Sequence, residues 1–176
     1  MNDEIITLVN EKNDVIGTVA RNKMRFGIDY HRATYILVFT EDQKLIVQKR
    51  SASKSFCPSY YGIATGGVVA AGESYLLSAQ RELEEELGIT PPLTCHGLFY
   101  TQGESYRIWG KLYSCHYNEA EHGPLTLQSS EVESVSSMSI DDILTQQHSK
   151  PFTPDTLDAL CHYVEKRIHP KPNDPI

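Results

Sequence analysis

Residues 66–89 read GGVVAAGESYLLSAQRELEEELGI and hold the most strongly helical segment of the chain. Leu76, Ala79, Leu83 and Leu87 recur at helical spacing, which predicts one apolar stripe on a helix running from Ser74 to Leu87. Ser74 suits the N-cap, because its hydroxyl can accept from a free backbone N–H of the first turn. Gly88 stands where such a helix stops, and Pro91 and Pro92 prevent its continuation. Glu82, Glu85 and Glu86 lie at i, i+3 and i+4, so they share a helix face set apart from the leucine stripe. Like charges at that spacing repel, so the helix gains nothing locally from them. Hard divalent cations take oxygen ligands, and Mg²⁺ is typically held by a few carboxylates together with substrate phosphate oxygens. The cluster is therefore a candidate metal site, although three glutamates alone read better as a solvated acidic face.

The glutamates do not stand alone. From Gly67 the chain runs through five residues to Glu73, then seven more to Arg81-Glu82, Leu83, Glu84, Glu85-Glu86, Leu87, Gly88 and Ile89. Seven fixed identities and two apolar positions coincide by chance on the order of once in ten million such chains, which disposes of an accidental acidic face. The pattern resembles the Nudix box, G-x5-E-x7-R-E-U-x-E-E-x-G-U with U apolar, over residues 67–89. That resemblance implies an α+β fold, an α/β/α sandwich in which helices flank a mixed β-sheet. It also implies a hydrolase that cuts a diphosphate linkage in a nucleoside-diphosphate-type substrate with Mg²⁺ or Mn²⁺. By the resemblance, Glu82, Glu85 and Glu86 are the metal ligands, with the backbone carbonyl of Gly67 as a further one. Arg81 pairs with Glu73, which ties the loop to the helix, and orients the glutamates. A carboxylate takes the proton of the attacking water. Glu82 or Glu85 is the first candidate, with Glu131 and Glu104 as candidates outside the box.

Outward from this segment, EIITLVN and DVIGTVA flank a polar cluster at residues 11–14 and predict an N-terminal hairpin. RNKMRFGIDYHR predicts a short turn or helical piece, and ATYILVFT with KLIVQKR a second hairpin whose first strand is buried. TCHGLFYTQ and SYRIWGKLYSCHY form a third, turning at Gly103-Glu104. A strand over Val132–Met138, a short helix opening at Ser139 or Asp141, and a last helix over Thr153–Ile168 complete the pattern. That last helix sets Leu157, Leu160, Cys161 and Val164 on one side. The expected organisation is a hairpin extension over residues 1–30 packed on the core, a Nudix domain over 31–168, and a flexible tail over 169–176.

At 176 residues, 40% apolar and 22% charged, the chain has the composition of one ordinary globular domain. No apolar run is long enough to span a membrane, and the N-terminus lacks the pattern of a secretory signal, so the expected location is cytoplasmic. A net charge of −7 argues against a nucleic-acid partner held by phosphate contacts. An acidic protein still accommodates a small-molecule diphosphate when metal ions bridge the negative charges. Cys57, Cys95, Cys115 and Cys161 are scattered and form neither a zinc site nor a redox pair.

The region from Ile16 to Phe56 is also similar to the corresponding part of isopentenyl-diphosphate isomerases, which implies the isomerase-like subgroup of bacterial Nudix hydrolases. An isomerase is thus an alternative reading, and a nucleotide-sensing module without catalysis is another. The isomerases carry a cysteine and a histidine just before the box, where this chain reads Tyr61-Gly-Ile-Ala-Thr-Gly-Gly-Val, so hydrolysis is favoured. Lys49, Arg50 and Lys54, together with Glu131, are candidate substrate contacts, balanced against a plain solvated loop. Arg21, Lys23, Arg25, His31, Arg32, Tyr60, Tyr61, Tyr106 and Trp109 are weaker candidates, for which surface charge or packing is the simpler account. The substrate is not legible. A homodimer is one open outcome, with the N-terminal hairpin as its candidate surface.

Overall fold

The computed structural model describes residues 4–168, and the tail expected over 169–176 lies outside the described residues. The chain forms β1 (Ile5–Val9), β2 (Val15–Ala20), a 3₁₀ turn (Arg21–Lys23), β3 (Tyr30–Phe39), β4 (Leu45–Arg50) and β5 (Tyr61–Gly62). There follow α1 (Tyr75–Leu87), β6 (Thr94–Gly103), β7 (Tyr106–His116), α2 (Glu119–His122), β8 (Val132–Met138), α3 (Ile140–Gln146) and α4 (Pro154–Ile168). The three hairpins, the box helix and the last helix fall where their periodicity and turn residues predict. Short α2, where the Asn118 side chain accepts from the Ala120 N–H, has no counterpart in the sequence reading.

β3 organises the sheet. Its residues Ala33–Phe39 are buried on both faces, the pattern of a central strand rather than an alternating one. β7 runs parallel to it from His31↔Ile108 to Phe39↔His116, and β6 closes the hairpin on β7. On its other side β3 meets β1 near its start, at Leu8↔His31 and Val9↔Tyr30, and meets β4 only at Phe39↔Leu45. The two halves of the sheet therefore splay apart between those points. Residues 65–70 run as an irregular strand alongside β3, through bridges Ile36↔Thr65 and Ala33↔Val68, and reach β1 at Ile6↔Ala70. β4 pairs antiparallel with β8 and, at its end, with β5, which completes the mixed sheet.

Helices cover both faces. On one side α1 packs Ala79, Leu83 and Leu87 onto Ile36, Val38, Ile46, Tyr113 and Cys115. On the other, α3 and α4 close over Tyr35, Leu37, Leu45, Val47, Phe99 and Leu112. The expected stripes need correcting in detail. Leu76 is 46% exposed, and Tyr75 takes its place against the core. On α4 the wholly buried positions are Thr156, Ala159, Leu160 and Tyr163, while Leu157 and Val164 pack at the edge. Ser74 caps α1 by accepting from the Leu77 N–H, and Gly88 ends it in the left-handed region at φ 72°. No helix among the described residues is long and apolar enough to cross a membrane.

Candidate functional site

The splay beside β3 opens into a cavity of about 390 Å³, the size of pocket that holds a nucleotide-sized ligand. One wall is the polar edge of α1 with Arg81, Glu82, Glu85 and Glu86, next to Gly66 and Gly67. The other wall comes from the end of β4, the loop after it and the residue before β8, with Arg50, Lys54, Phe56 and Glu131, while Gln128 joins the α1 side by donating its N–H to the Glu86 carbonyl at 3.3 Å. Tyr35, Ile108, Thr153 and Asp155 close the far end.

The loop holding Gly67 is fixed by backbone pairing. Thr34 N–H donates to the Gly67 carbonyl at 2.9 Å, and Thr65 exchanges two hydrogen bonds with Ile36. The Thr34 hydroxyl donates to the same carbonyl at 3.4 Å, a long bond that an ion at the second lone pair would displace. A Cβ on Gly67 would lie 2.5 Å from a carboxylate oxygen of Glu82, so a side chain here would push that carboxylate aside. Arg81 is the hub of the acidic wall. It donates to both Glu73 oxygens at 3.0 and 3.1 Å, to Glu82 at 2.8 Å and to Glu85 at 3.2 Å. The guanidinium holds Glu73 below its ordinary range. Glu73 also accepts from Ala70 N–H, which closes the loop onto the helix, and it does not itself line the cavity.

The carboxylates of the acidic wall have different surroundings. Glu85 is about half exposed, and the Glu82 side chain is only 12% exposed. Burial raises Glu82, against the opposing pull of Arg81. Glu86 is 6% exposed, and burial, with the Glu82 charge behind it, pushes it up to about 7. The face expected to be clear of the core is thus partly sunk into it, which makes ionisation there costly without a cation. Among the described residues, no three acidic, histidine or cysteine side chains are gathered into a ready ligand cluster. Arg81 draws Glu82 and Glu85 to itself instead. The donor set fits a hard divalent ion in kind: carboxylate oxygens and a carbonyl beside a glycine-lined space.

Opposite, Arg50 spends two donors on the Phe56 carbonyl, at 2.9 and 3.2 Å, and its guanidinium lies over the Phe56 ring. Lys54 forms an ion pair with Glu131, linking the two loops of this wall. Burial lowers the Lys54 ammonium from its ordinary value, with Arg50 adding to the effect. Lys49, grouped with these in the sequence, is placed elsewhere: it pairs with Glu133 of β8 at 2.8 Å and does not line the cavity. Glu104 also lies away from the cavity lining, with its carbonyl packed on Gly27. Arg21, in an ion pair with Glu4, and buried His31 do line it. Arg25 is bound to Asp29, and Lys23 and Arg32 are absent from the lining. Tyr60, Tyr61, Tyr106 and Trp109 do not face the cavity; its aromatic lining is Phe26, Tyr35 and Phe56.

Sequence reasoning missed Gln48, Tyr35 and Asp155. Gln48 is 5% exposed on β4, and a polar residue inside the apolar run LIVQ was the available signal. Tyr35 donates its hydroxyl to Asp155 at 3.1 Å across a separation of 120 residues, for which no local signal exists.

The NUDIX domain family model matches residues 29–158. An uncharacterized Nudix hydrolase of Yersinia pestis is 44% identical over 164 residues, covering 93% of this chain and 87% of that protein. The uncharacterized Nudix hydrolase YfcD of Escherichia coli is 42% identical over 164 residues, covering 93% and 88%. A crystal structure of a Deinococcus radiodurans protein superposes with a TM-score of 0.77 at 20% identity, covering 90% of this chain and 98% of that one. The NUDIX domain of Shewanella oneidensis NrtR, solved in complex with ADP ribose, superposes at 0.61 with 19% identity, covering 78% and 88%.

Proposed function

The chain belongs to the Nudix family, and on that premise we propose that it hydrolyses a diphosphate linkage in a small nucleoside-diphosphate-type substrate. The observation that carries this reading is a complete box folded so that Glu82, Glu85, Glu86 and Gly67 line one wall of a cavity whose other wall bears Arg50 and Lys54. Glu82, Glu85, Glu86 and the Gly67 carbonyl would hold Mg²⁺ or Mn²⁺. Bound there, the ion supplies charge neutralisation on the diphosphate and acidifies a water. Arg81 holds Glu82 and Glu85 in place, and Glu73 holds Arg81 in place. Lys54 and Arg50 bind the remaining phosphate charge, which releases Glu131 from its ion pair with Lys54. Glu82 or Glu85 accepts the water proton, with Glu131 the candidate from the opposite wall; Glu104, outside the cavity lining, is set aside.

The organisation into a hairpin extension over 1–30 and a catalytic domain over 31–168 belongs to the same proposal, as does membership of the isomerase-like subgroup on the similarity of Ile16 to Phe56. Isomerisation is not favoured, because none of the cysteines of the chain lines the cavity. The test is product release from nucleotide sugars, ADP-ribose, nucleoside triphosphates, dinucleoside polyphosphates and prenyl diphosphates with Mg²⁺ or Mn²⁺. Cleavage by wild type with silent Glu85→Gln and Glu86→Gln variants is the expected result. Isomerised isopentenyl diphosphate without hydrolysis of any compound would overturn it.

A further inference from the structure

Asp155 enters the cavity from the first turn of α4, which packs on the face of the sheet opposite α1. Tyr35, 4% exposed on β3, donates its hydroxyl to one oxygen of this carboxylate at 3.1 Å. The other oxygen is buried and has no hydrogen-bond partner among the described residues. The Thr153 and Thr156 hydroxyls bond each other at 2.6 Å, and Thr156 Oγ1 also accepts from the Ile63 N–H at 3.1 Å. The cations of the lining are engaged elsewhere: Arg21 with Glu4, Arg50 with the Phe56 carbonyl, Lys54 with Glu131, and Arg81 with Glu73, Glu82 and Glu85. Ala64 and Ile108 line the cavity as well and have no side-chain donor to offer. An ionised carboxylate has about four lone pairs to fill, and one left short of donors inside a protein costs free energy.

We propose that Asp155 is a specificity-determining residue that receives a neutral hydrogen-bond donor, an N–H or O–H, on the organic group attached to the diphosphate. Tyr35 is the positioning residue that holds it. This rests on the reading of the acidic wall as the diphosphate site. The donor is an amino group of a nucleobase or a hydroxyl of a sugar. A second anionic group at this end would be repelled by the carboxylate, and a prenyl chain would bury it with nothing to accept from. A site built to bond a donor of its substrate rejects the analogue without that donor more strongly than an apolar pocket rejects a missing methylene, because its own polar group is then left unpaired.

The experiment is steady-state cleavage, with Mg²⁺, of ATP, CTP and ADP-ribose. Each is paired with an analogue lacking the amino group of its base and with one lacking a ribose hydroxyl, and geranyl diphosphate is the compound with no donor on its organic group. Wild type, Asp155→Ala, Asp155→Asn and Tyr35→Phe are compared, with thermal melting as the folding control. In wild type the complete member of one kind of pair is expected to exceed its analogue in kcat/KM by about 10–100-fold, the effect of leaving a buried charged acceptor unpaired. Asp155→Ala is expected to bring that ratio to about one, and Asp155→Asn and Tyr35→Phe to lower it in part. The kind of pair whose ratio collapses tells a base amino group from a sugar hydroxyl. A variant that only weakens the fold slows both members alike and leaves the ratio unmoved. The same ratios in wild type and Asp155→Ala, or geranyl diphosphate cleaved by wild type as well as any nucleotide, would overturn the subsite and leave hydrolysis standing. Silence of wild type on every compound would overturn both.

Discussion

Replacing Glu86 by glutamine changes a buried acid into a neutral amide of the same shape, and the structure sets the sign and size of the effect. Burial and the neighbouring Glu82 charge raise Glu86 from an ordinary value of 4.5 to about 7. The folded protein therefore binds this proton more tightly than the unfolded chain does. The stability so gained is fully present below 4.5 and is lost as pH rises through about 7. Linkage over that window gives a loss of about 2 kcal/mol in the metal-free wild type between about pH 5.5 and about pH 8.5. For a chain of this size that corresponds to about 4–8 °C in melting temperature. Glu86→Gln has no such proton to lose. Melted with a chelator across this range, wild type should fall relative to the variant by that amount, and Mg²⁺ should restore the alkaline loss in wild type alone. A gap between the two proteins that stays constant with pH would refute the reasoning, because it would mean that Glu86 ionises as freely in the fold as outside it.

The opposite sign holds at His31, where burial, reinforced by Arg21, lowers the imidazole from 6.5 to about 4. Its contribution is present above 6.5 and is lost as pH falls toward 4, so His31→Gln should spare the protein about 3 kcal/mol of acid destabilisation in urea melts at about pH 4 relative to pH 7. Leu83 is 1% exposed in the cluster beneath α1, and Leu83→Ala should cost about 2–5 kcal/mol of unfolding free energy by urea titration at neutral pH. A cost below about 1 kcal/mol would show that the helix is not anchored as described.

Local chemistry carried most of the element pattern. Ser74 and Gly88 bound α1 because capping and left-handed termination are decided within a few residues, and the hairpin turns are equally local. Long-range pairing was not legible: nothing in YILVF announces that β3 takes β7 as a parallel neighbour or that residues 65–70 run along its other side. The site shows the same division. Spacing brought Glu82, Glu85 and Glu86 to one helix edge, but their unequal burial depends on how α1 tilts onto the sheet. Lys49 and Lys54 looked alike in QKRSASK, yet the register with β8 gives one to Glu133 and the turn after β4 gives the other to Glu131. Gln48 faces α1 for the same reason of register, which no count of residue types reveals.

The splay beside β3 also separates what must stay constant from what is free to vary. Arg81, the glutamates and Gly67 stand on a helix and on a strand locked to β3, whereas Arg50, Lys54, Phe56 and Glu131 stand on or beside loops with few ladder bonds. Lengthening or rewriting either loop leaves the pairing of β3 untouched, so a lineage can exchange the group attached to its diphosphate without rebuilding the reactive wall. Divergence among relatives of this chain should accordingly accumulate on one side of the cavity and not on the other.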